Sequence, residues 1–239
     1  MRLAVVSDIH GNLRALEAVM ADLKAVGVDA VINLGDSLSG PLLPRETAQF
    51  LMAQDWIHLA GNHERQILDL HANSSMADVY AHSQLGPEEL EWLATLLPAR
   101  RFGDDILLCH GSPASDVTCL LETADRPATA SEVSQRLGAV DASLILCGHS
   151  HVPRAVRHAG RLIVNPGSVG QPAFADDYPH PHVIESGSPD ARYALLERRG
   201  GQWRASMCTV PYAHDEMAAL AASRGRADWA RALATGYVS

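Results

Sequence analysis

A chain of 239 residues with 47% apolar and 20% charged side chains matches a globular protein able to bury a substantial core. A formal net charge of −9 excludes a general grip on nucleic acid or on an anionic membrane surface, though not a nucleotide held beside cations. No run approaches the ~20 apolar residues of a bilayer span, and Cys109, Cys119, Cys147 and Cys208 show neither C-x-x-C spacing nor a disulfide framework.

The first expected strand, 3–7, is continuous and β-branched, as in strands covered on both faces. Asn12 then caps a helix to Val26 whose stripe is Leu13, Leu16, Met20 and Leu23, with Gly27 as the stop. Strand 30–34, a helix from Pro44 to Gln54 and strand 56–60 follow. The middle reads as helices over 64–70, 76–85 and 87–96, the last opened by Pro87. Strands 99–102 and 106–109 flank the turn Gly103-Asp104-Asp105, and 112–127 reads as a loop. A helix over 129–137 leads to strand 143–147. Two antiparallel hairpins are expected beyond, 155–158 with 162–165 and 193–198 with 203–210. Between them, 171–190 is rich in Pro, Asp, His and Ser and reads as an exposed excursion, with His180 and His182 solvated. Helices over 215–223 and 226–234 end the chain. With no repeat and no composition break, 1–239 is expected to be one α/β domain, a layered β-sandwich of two mixed sheets flanked by helices.

Five polar blocks arrive just after strand-like runs: Asp8-Ile9-His10, Gly35-Asp36, Gly61-Asn62-His63-Glu64, His110-Gly111 and Gly148-His149-Ser150-His151. Each alone reads as an ordinary polar turn; five together at strand ends form a pattern. Asp8 and His10, at i and i+2, can grip one ion if they leave the sheet pointing the same way. Gly35 lets the backbone turn so that the Asp36 carboxylate can bridge two ions. Asn62 offers a neutral carbonyl oxygen, which keeps a site electrophilic. His63 beside it is left to face a substrate and protonate a leaving alkoxide. His110 follows a strand, and His149 and His151 repeat the i, i+2 spacing, each able to serve a different ion. Seven side chains are thus candidate ligands for two divalent cations: Asp8, His10, Asp36, Asn62, His110, His149 and His151. Their mixed Asp, Asn and His character suits Mn, Fe, Zn, Co or Ni better than Ca or Mg, with Mn foremost.

In this order the blocks resemble those of the calcineurin-like metallophosphoesterase superfamily, over roughly residues 1–170. Ser7-Asp8-Ile9-His10-Gly11-Asn12, Gly40-Pro41 and Asn165-Pro166-Gly167-Ser168 further resemble its small bacterial and archaeal phosphodiesterases, the first segment also its diadenosine tetraphosphate hydrolases. The resemblance implies Asp8, His10, Asp36 and His151 around one metal and Asp36, Asn62, His110 and His149 around the second. Asp36 would then bridge, and Asn62 and His63 would meet substrate. Gly35-Asp36-Ser37-Leu38-Ser39-Gly40-Pro41 lacks the arginine and second aspartate of the superfamily's protein phosphatases. That argues against a protein-phosphatase role and leaves His63 without an evident aspartate partner. Arg14 and Arg65 read as exposed helix residues rather than phosphate ligands.

The reaction expected is hydrolysis of small or nucleotide-like phosphate esters by a hydroxide bridging two metals roughly 3.5–4 Å apart, with Asp36 and His63 as catalytic residues and a diester as the leading substrate. A dinucleoside polyphosphate hydrolase and a non-catalytic scaffold, like the retromer subunit of the superfamily, are the alternatives; the complete ligand set speaks against the scaffold. Specificity is expected in 112–127, 171–190 and the helices after Glu64. Neither membrane nor general nucleic-acid partners are expected. Met1 runs into the Asp8 block with no room for a cleavable signal, so a cytoplasmic protein with Cys109 and Cys147 as buried free thiols is expected.

Overall fold

A computed structural model describes residues 1–177 and 181–239, so His180 lies outside the described residues. In one sheet, β1 (Arg2–Val6), β2 (Ala30–Asn33) and β3 (Ile57–His58) run parallel. The hairpin of β11 (Ala191–Arg199) and β12 (Gln202–Val210) extends it antiparallel to β1, giving the order β12-β11-β1-β2-β3. The second sheet takes β4 (Ala99–Phe102), β5 (Ile106–Cys109), β6 (Leu144–Leu146), β7 (Arg154–His158) and β8 (Arg161–Asn165) in the order β4-β5-β6-β8-β7. Its three central strands are again parallel.

The two-residue strand period divides the apolar side chains between layers. Leu3, Val5, Leu34, Leu108, Leu146, Val164 and Leu196 fill the space between the sheets. Ala4 and Val6 face outward onto α1 (Leu13–Val26), where Leu16, Val19 and Leu23 meet them. On the far side, Cys109, Ile145, Cys147 and Ile163 meet Val133 and Leu137 of α6 (Ala130–Leu137). Covered on both faces, β1 has no polar side to present, which is why its sequence shows no alternation.

Helix ends follow their local signals. The Asn12 side chain accepts the Ala15 N–H, and Thr129 and Glu132 cap α6 reciprocally. Pro44 and Pro87 open α2 (Pro44–Met52) and α5 (Pro87–Thr95), which pack with α3 (Asn62–Leu68) and α4 (Met76–Gln84) around Leu38, Ile67 and Leu93. The last two helices, α7 (His214–Ser223) and α8 (Ala227–Thr235), form a pair over Leu42. Among the described residues no helix is long and apolar enough to cross a membrane.

One expectation is corrected. The supposed excursion 171–190 contains β9 (Ala173–Asp176) paired antiparallel with β10 (His182–Glu185), apart from both main sheets. The strands are four residues each, too short to stand out against their Pro- and Asp-rich flanks. They still alternate: Val183 is 52% exposed, whereas His182 and Ile184 on the other face are half-buried and line a cavity. His182 is therefore not a solvated loop residue; its ring lies 5.7 Å from that of Phe174.

Candidate metal centre

All five polar blocks leave the carboxyl ends of the parallel strands β1, β2, β3, β5 and β6, where open α/β sheets gather their sites. Asp8 (φ 56°), His10 (52°), Asp36 (54°), His149 (67°) and His151 (57°) all adopt left-handed backbone conformations. Ala159 is the only other non-glycine residue to do so among the described residues. Such a conformation costs a non-glycine residue on the order of 1 kcal/mol or more, and persists where surrounding structure holds it for function. The shared direction of Asp8 and His10, and the divergence of His149 and His151, thus come from kinks past the strand ends rather than from strand alternation.

Close backbone approach holds the kinks. Gly35 has φ 105°, and a Cβ there would collide with the Gly61 backbone. A Cβ on Gly61 would strike the Asp36 carboxylate, and one on Gly148 the Ser7 hydroxyl. Glu64, fully buried, accepts N–H bonds from Asp36 (2.8 Å), Ser37 (2.7 Å) and Gly61 (2.7 Å), tying the second and third blocks together. The segment after β8 braces the rest: Asn165 Nδ2 donates to the Gly148 carbonyl at 2.7 Å and the Ser168 hydroxyl to the Asp8 carbonyl at 2.7 Å.

The seven candidate ligands converge. Asp8, His10 and His151 form one group and Asp36, His110 and His149 another, the ligand atoms within each lying within 4.8 Å of one another. His110 Nε2 spans the two, 2.9 Å from Asp36 Oδ2 and 3.9 Å from Asp8 Oδ1. Asn62, also buried, lines the same cavity with Asp36.

The donor set fits divalent cations. His10 Nδ1 donates to the Ser39 carbonyl (2.8 Å), His110 Nδ1 to that of Leu34 (2.9 Å) and His151 Nδ1 to that of Gln171 (2.9 Å). In each ring Nε2 is thereby the atom left to meet a cation, the arrangement by which outer partners orient ligating histidines. The Nε2 atoms of His10 and His151 then face each other at 3.2 Å beside the Asp8 carboxylate. Both Asp8 oxygens, Asn62 Oδ1 and His110 Nε2 are buried with no hydrogen-bond partner. The 2.9 Å approach of His110 to Asp36 is therefore a close contact out of hydrogen-bond alignment. Unpaired buried charges and converging lone pairs are unfavourable by themselves and favourable around a cation. Burial, with His151 and His63 nearby, lowers the His10 imidazole to about 3, and burial with His110 lowers that of His149 to about 4. Both rings are neutral, as ligation requires; burial opposes protonation of His110, but Asp36 and then Asp8 push it up to about 10, so a cation bound there would displace its proton. Burial pushes the Asp8 and Asp36 carboxyls up, but His151 and His110 respectively outweigh it and hold both below the usual range.

His63 stands in the cavity wall with its ring 5.4 Å from that of His10, and its backbone N–H donates to Asp36 Oδ1 at 2.9 Å. Its Nδ1 lies 2.8 Å from Asp78 Oδ1. The sequence left His63 without such a partner, and the structure supplies one from α4. Asp78 is itself held by the Ser75 hydroxyl at 2.6 Å. Burial opposes protonation of His63, yet Asp36 first and Asp78 second raise its pKa to about 9. Asp78 carried no sequence signal, because an aspartate three residues after a serine at a helix start reads as a capping residue. Glu64 stood in a motif, but its role as a backbone clamp depends on a loop 27 residues away.

Arg65 pairs with Asp116 at 2.8 Å and Arg14 with Glu17 at 2.9 Å, both arginines well exposed as expected. The cavity in front of the two groups measures about 970 Å³. Residues of the expected segments 112–127 and 171–190 and of the stretch after Glu64 line it, among them Thr118, Phe174 and Asp78, and so does α8, which was not among the expected segments. Phe174 of β9 lies 4.7 Å from the His151 ring and Trp229 of α8 6.0 Å from that of His10.

Comparison with known proteins identifies the family and the fold. An uncharacterised protein of Methanocaldococcus jannaschii is 27% identical over 194 residues, spanning 71% of this chain and 76% of the relative. The crystal structure of a metallophosphoesterase from Sphaerobacter thermophilus matches at 28% identity and TM-score 0.79, covering 99% of this chain and 100% of its own. A hypothetical protein of Pyrococcus horikoshii shares the fold at 18% identity and TM-score 0.75, covering 100% and 99% respectively. Residues 1–184 match the calcineurin-like phosphoesterase superfamily domain. The chain belongs to that superfamily, a metal-dependent phosphoester hydrolase with two mixed sheets and two candidate cation groups at the carboxyl ends of their parallel strands.

Proposed function

We propose that the protein is a binuclear phosphodiesterase acting on small or nucleotide-like phosphate esters. The observation that carries this reading is the pair of adjoining groups, Asp8-His10-His151 and Asp36-His110-His149, with buried, unpartnered oxygens of Asp8 and Asn62 beside them. In this reading Asp8, His10 and His151 hold one cation and Asn62, His110 and His149 the other, with Asp36 shared. Bound there, two cations would supply Lewis acidity for a phosphoryl group and lower the pKa of a water toward neutrality.

The chain's own groups do the rest. His63 takes a place at the leaving-group oxygen, with Asp78 on its Nδ1 fixing the ring so that Nε2 delivers the proton. Asn62, held by its Nδ2 bond to Gln66 Oε1 at 3.1 Å, would give its neutral oxygen to the cation on the substrate side, leaving that cation electrophilic. Glu64 keeps the Asp36 and Gly61 backbones in register, so the shared carboxylate and His63 keep their relative places.

Manganese is the metal proposed, from the mixed oxygen and imidazole set. The 239 residues are proposed to work as one domain, since Trp229 of α8 lines the same cavity as the strand-end histidines. A cytoplasmic setting is proposed, consistent with the free thiols of Cys109 and Cys147; cell fractionation checks it. The functional test is turnover of a bis-aryl phosphate diester and the matching monoester by the Mn²⁺-loaded protein, with elemental analysis of the protein as purified. Diester turnover lost in His63→Ala supports the reading. A fully metal-loaded wild type inert toward every ester supports the scaffold instead.

A further inference from the structure

We infer that Phe174, on a wall backed by the buried Trp229, forms a subsite for a planar, nucleobase-like ring, so that the substrate is a nucleoside-type ester of a single phosphate and not a polyphosphate. This rests on the phosphoesterase reading above and narrows it.

The first ground is position. Phe174 lies 4.7 Å from the His151 ring and Trp229 6.0 Å from the His10 ring, while those two imidazoles are 5.0 Å apart. A group esterified to a phosphate at the cation groups would therefore lie within one ring's length of half-buried Phe174, while Trp229, 6% exposed and with Arg226 over its ring, supports the wall from behind. Every base presents a π-face, and stacking on such rings is the common device for holding one. A cavity of about 970 Å³ has room for a phosphate and an attached nucleoside together, being at the upper end of small-molecule sites.

The second ground is how firmly these rings are placed. The Trp229 edge packs on Gly40, where even a Cβ would come within 2.9 Å of it. The chain beyond α8 is tied to the strand pair that carries Phe174: the Gly187 N–H donates to the Gly236 carbonyl at 3.1 Å, and the Val238 N–H to Glu185 Oε1 at 2.9 Å. The β9–β10 pair and the C-terminal helix thus brace each other over the cavity, which suits a preorganised binding wall.

The third ground is charge. A polyphosphate brings further negative groups that need cationic or N–H partners beyond the metal groups. Two arginines line the cavity, and both are engaged. Arg136 Nη1 donates to the Cys119 and Glu122 carbonyls at 2.8 Å each, fastening the 117–124 loop. Arg226 makes a two-point pair with Asp228 at 2.9 and 2.6 Å. No lysine is among the described lining residues.

Calorimetric binding to the Mn²⁺-loaded full chain tests the inference without relying on turnover. The probes are an adenosine 5′-phosphonate that resists hydrolysis, methylphosphonate, and a dinucleoside tetraphosphate as competitor. The adenosine compound is expected to bind about tenfold or more tightly than methylphosphonate. Phe174→Ala should erase most of that ratio, Phe174→Tyr should restore it, and methylphosphonate affinity should stay within twofold throughout. The tetraphosphate is expected to compete no better than the adenosine phosphonate. Equal affinity for the two phosphonates, equal weakening of both by Phe174→Ala, or a tetraphosphate bound a hundredfold more tightly would each overturn the inference. Half-exposed Phe174 lies outside the main core, and circular dichroism of the variants confirms that they are folded. If ring-dependent binding persists in a protein that hydrolyses no ester, the subsite stands and the hydrolase reading falls. Hydrolysis of simple esters with no ring preference gives the reverse.

Discussion

The floor and the roof of the cavity are built by different means. The floor consists of short blocks at the ends of parallel strands, placed by local devices: left-handed kinks in the first, second and fifth blocks, neighbouring glycines, and an Nδ1–H of His10, His110 and His151 fixed to a main-chain carbonyl. The roof consists of single residues from distant segments, Asp78 on α4, Phe174 on β9 and Trp229 on α8, brought together only by tertiary packing. Chemistry that every member of a family must perform can be written in contiguous blocks. Groups that position a general acid or meet the substrate need not be, and those proposed here come from separate segments.

That division should be visible in variants. The largest effect is expected from Asp36→Asn, which removes the shared carboxylate: diester turnover should fall by at least about a thousandfold, with metal content falling beside it in elemental analysis. Gly61→Ala tests the same floor without touching a ligand. Its Cβ would meet the Asp36 carboxylate, so metal content and turnover should drop together even though the ligand set is intact. Metal retained in full by that variant would break the claim that close backbone packing aims the carboxylate.

His63→Ala should lower kcat by about a hundredfold or more while leaving the metal content unchanged, separating proton delivery from metal holding. Asp78→Asn should give a smaller loss, about tenfold, and a change in pH profile. Asp78 raises the His63 pKa, so its removal lowers that pKa, and the alkaline limb of kcat, where protonated His63 is lost, should move to lower pH. An unmoved limb would show that Asp78 only supports the fold.

Chelation should lower Tm by about 10–20 °C, because each of two cations at a hundredfold excess over Kd stabilises the folded state by about 2.7 kcal/mol. The smallest effect belongs to Arg65→Ala. Its pair with Asp116 is exposed, and both turnover and stability should stay within about 0.5 kcal/mol of wild type.

The same division explains what the sequence discloses. The layered sandwich follows from strand–helix alternation, because β1 and β8 are unbroken apolar runs and Asn12, Gly27 and Pro87 mark helix ends by local rules. The seven candidate ligands can be named because each follows such a run. The mechanism that turns them inward cannot, since no residue type announces a left-handed aspartate or histidine. Nor can the β9–β10 pair, whose four-residue strands lie in a polar stretch. Asp78 and Trp229 look like a helix-cap aspartate and an amphipathic-helix tryptophan; only the packing of α4 and α8 gives them a place beside His63 and His10.

The central claim is that the strand ends hold two cations side by side. Anomalous diffraction from crystals of the Mn²⁺-loaded protein tests it most directly. The account predicts two peaks roughly 3.5–4 Å apart, one among Asp8, His10 and His151 and the other among Asn62, His110 and His149, with Asp36 between. A single peak, or two peaks lying away from Asp36, would contradict it.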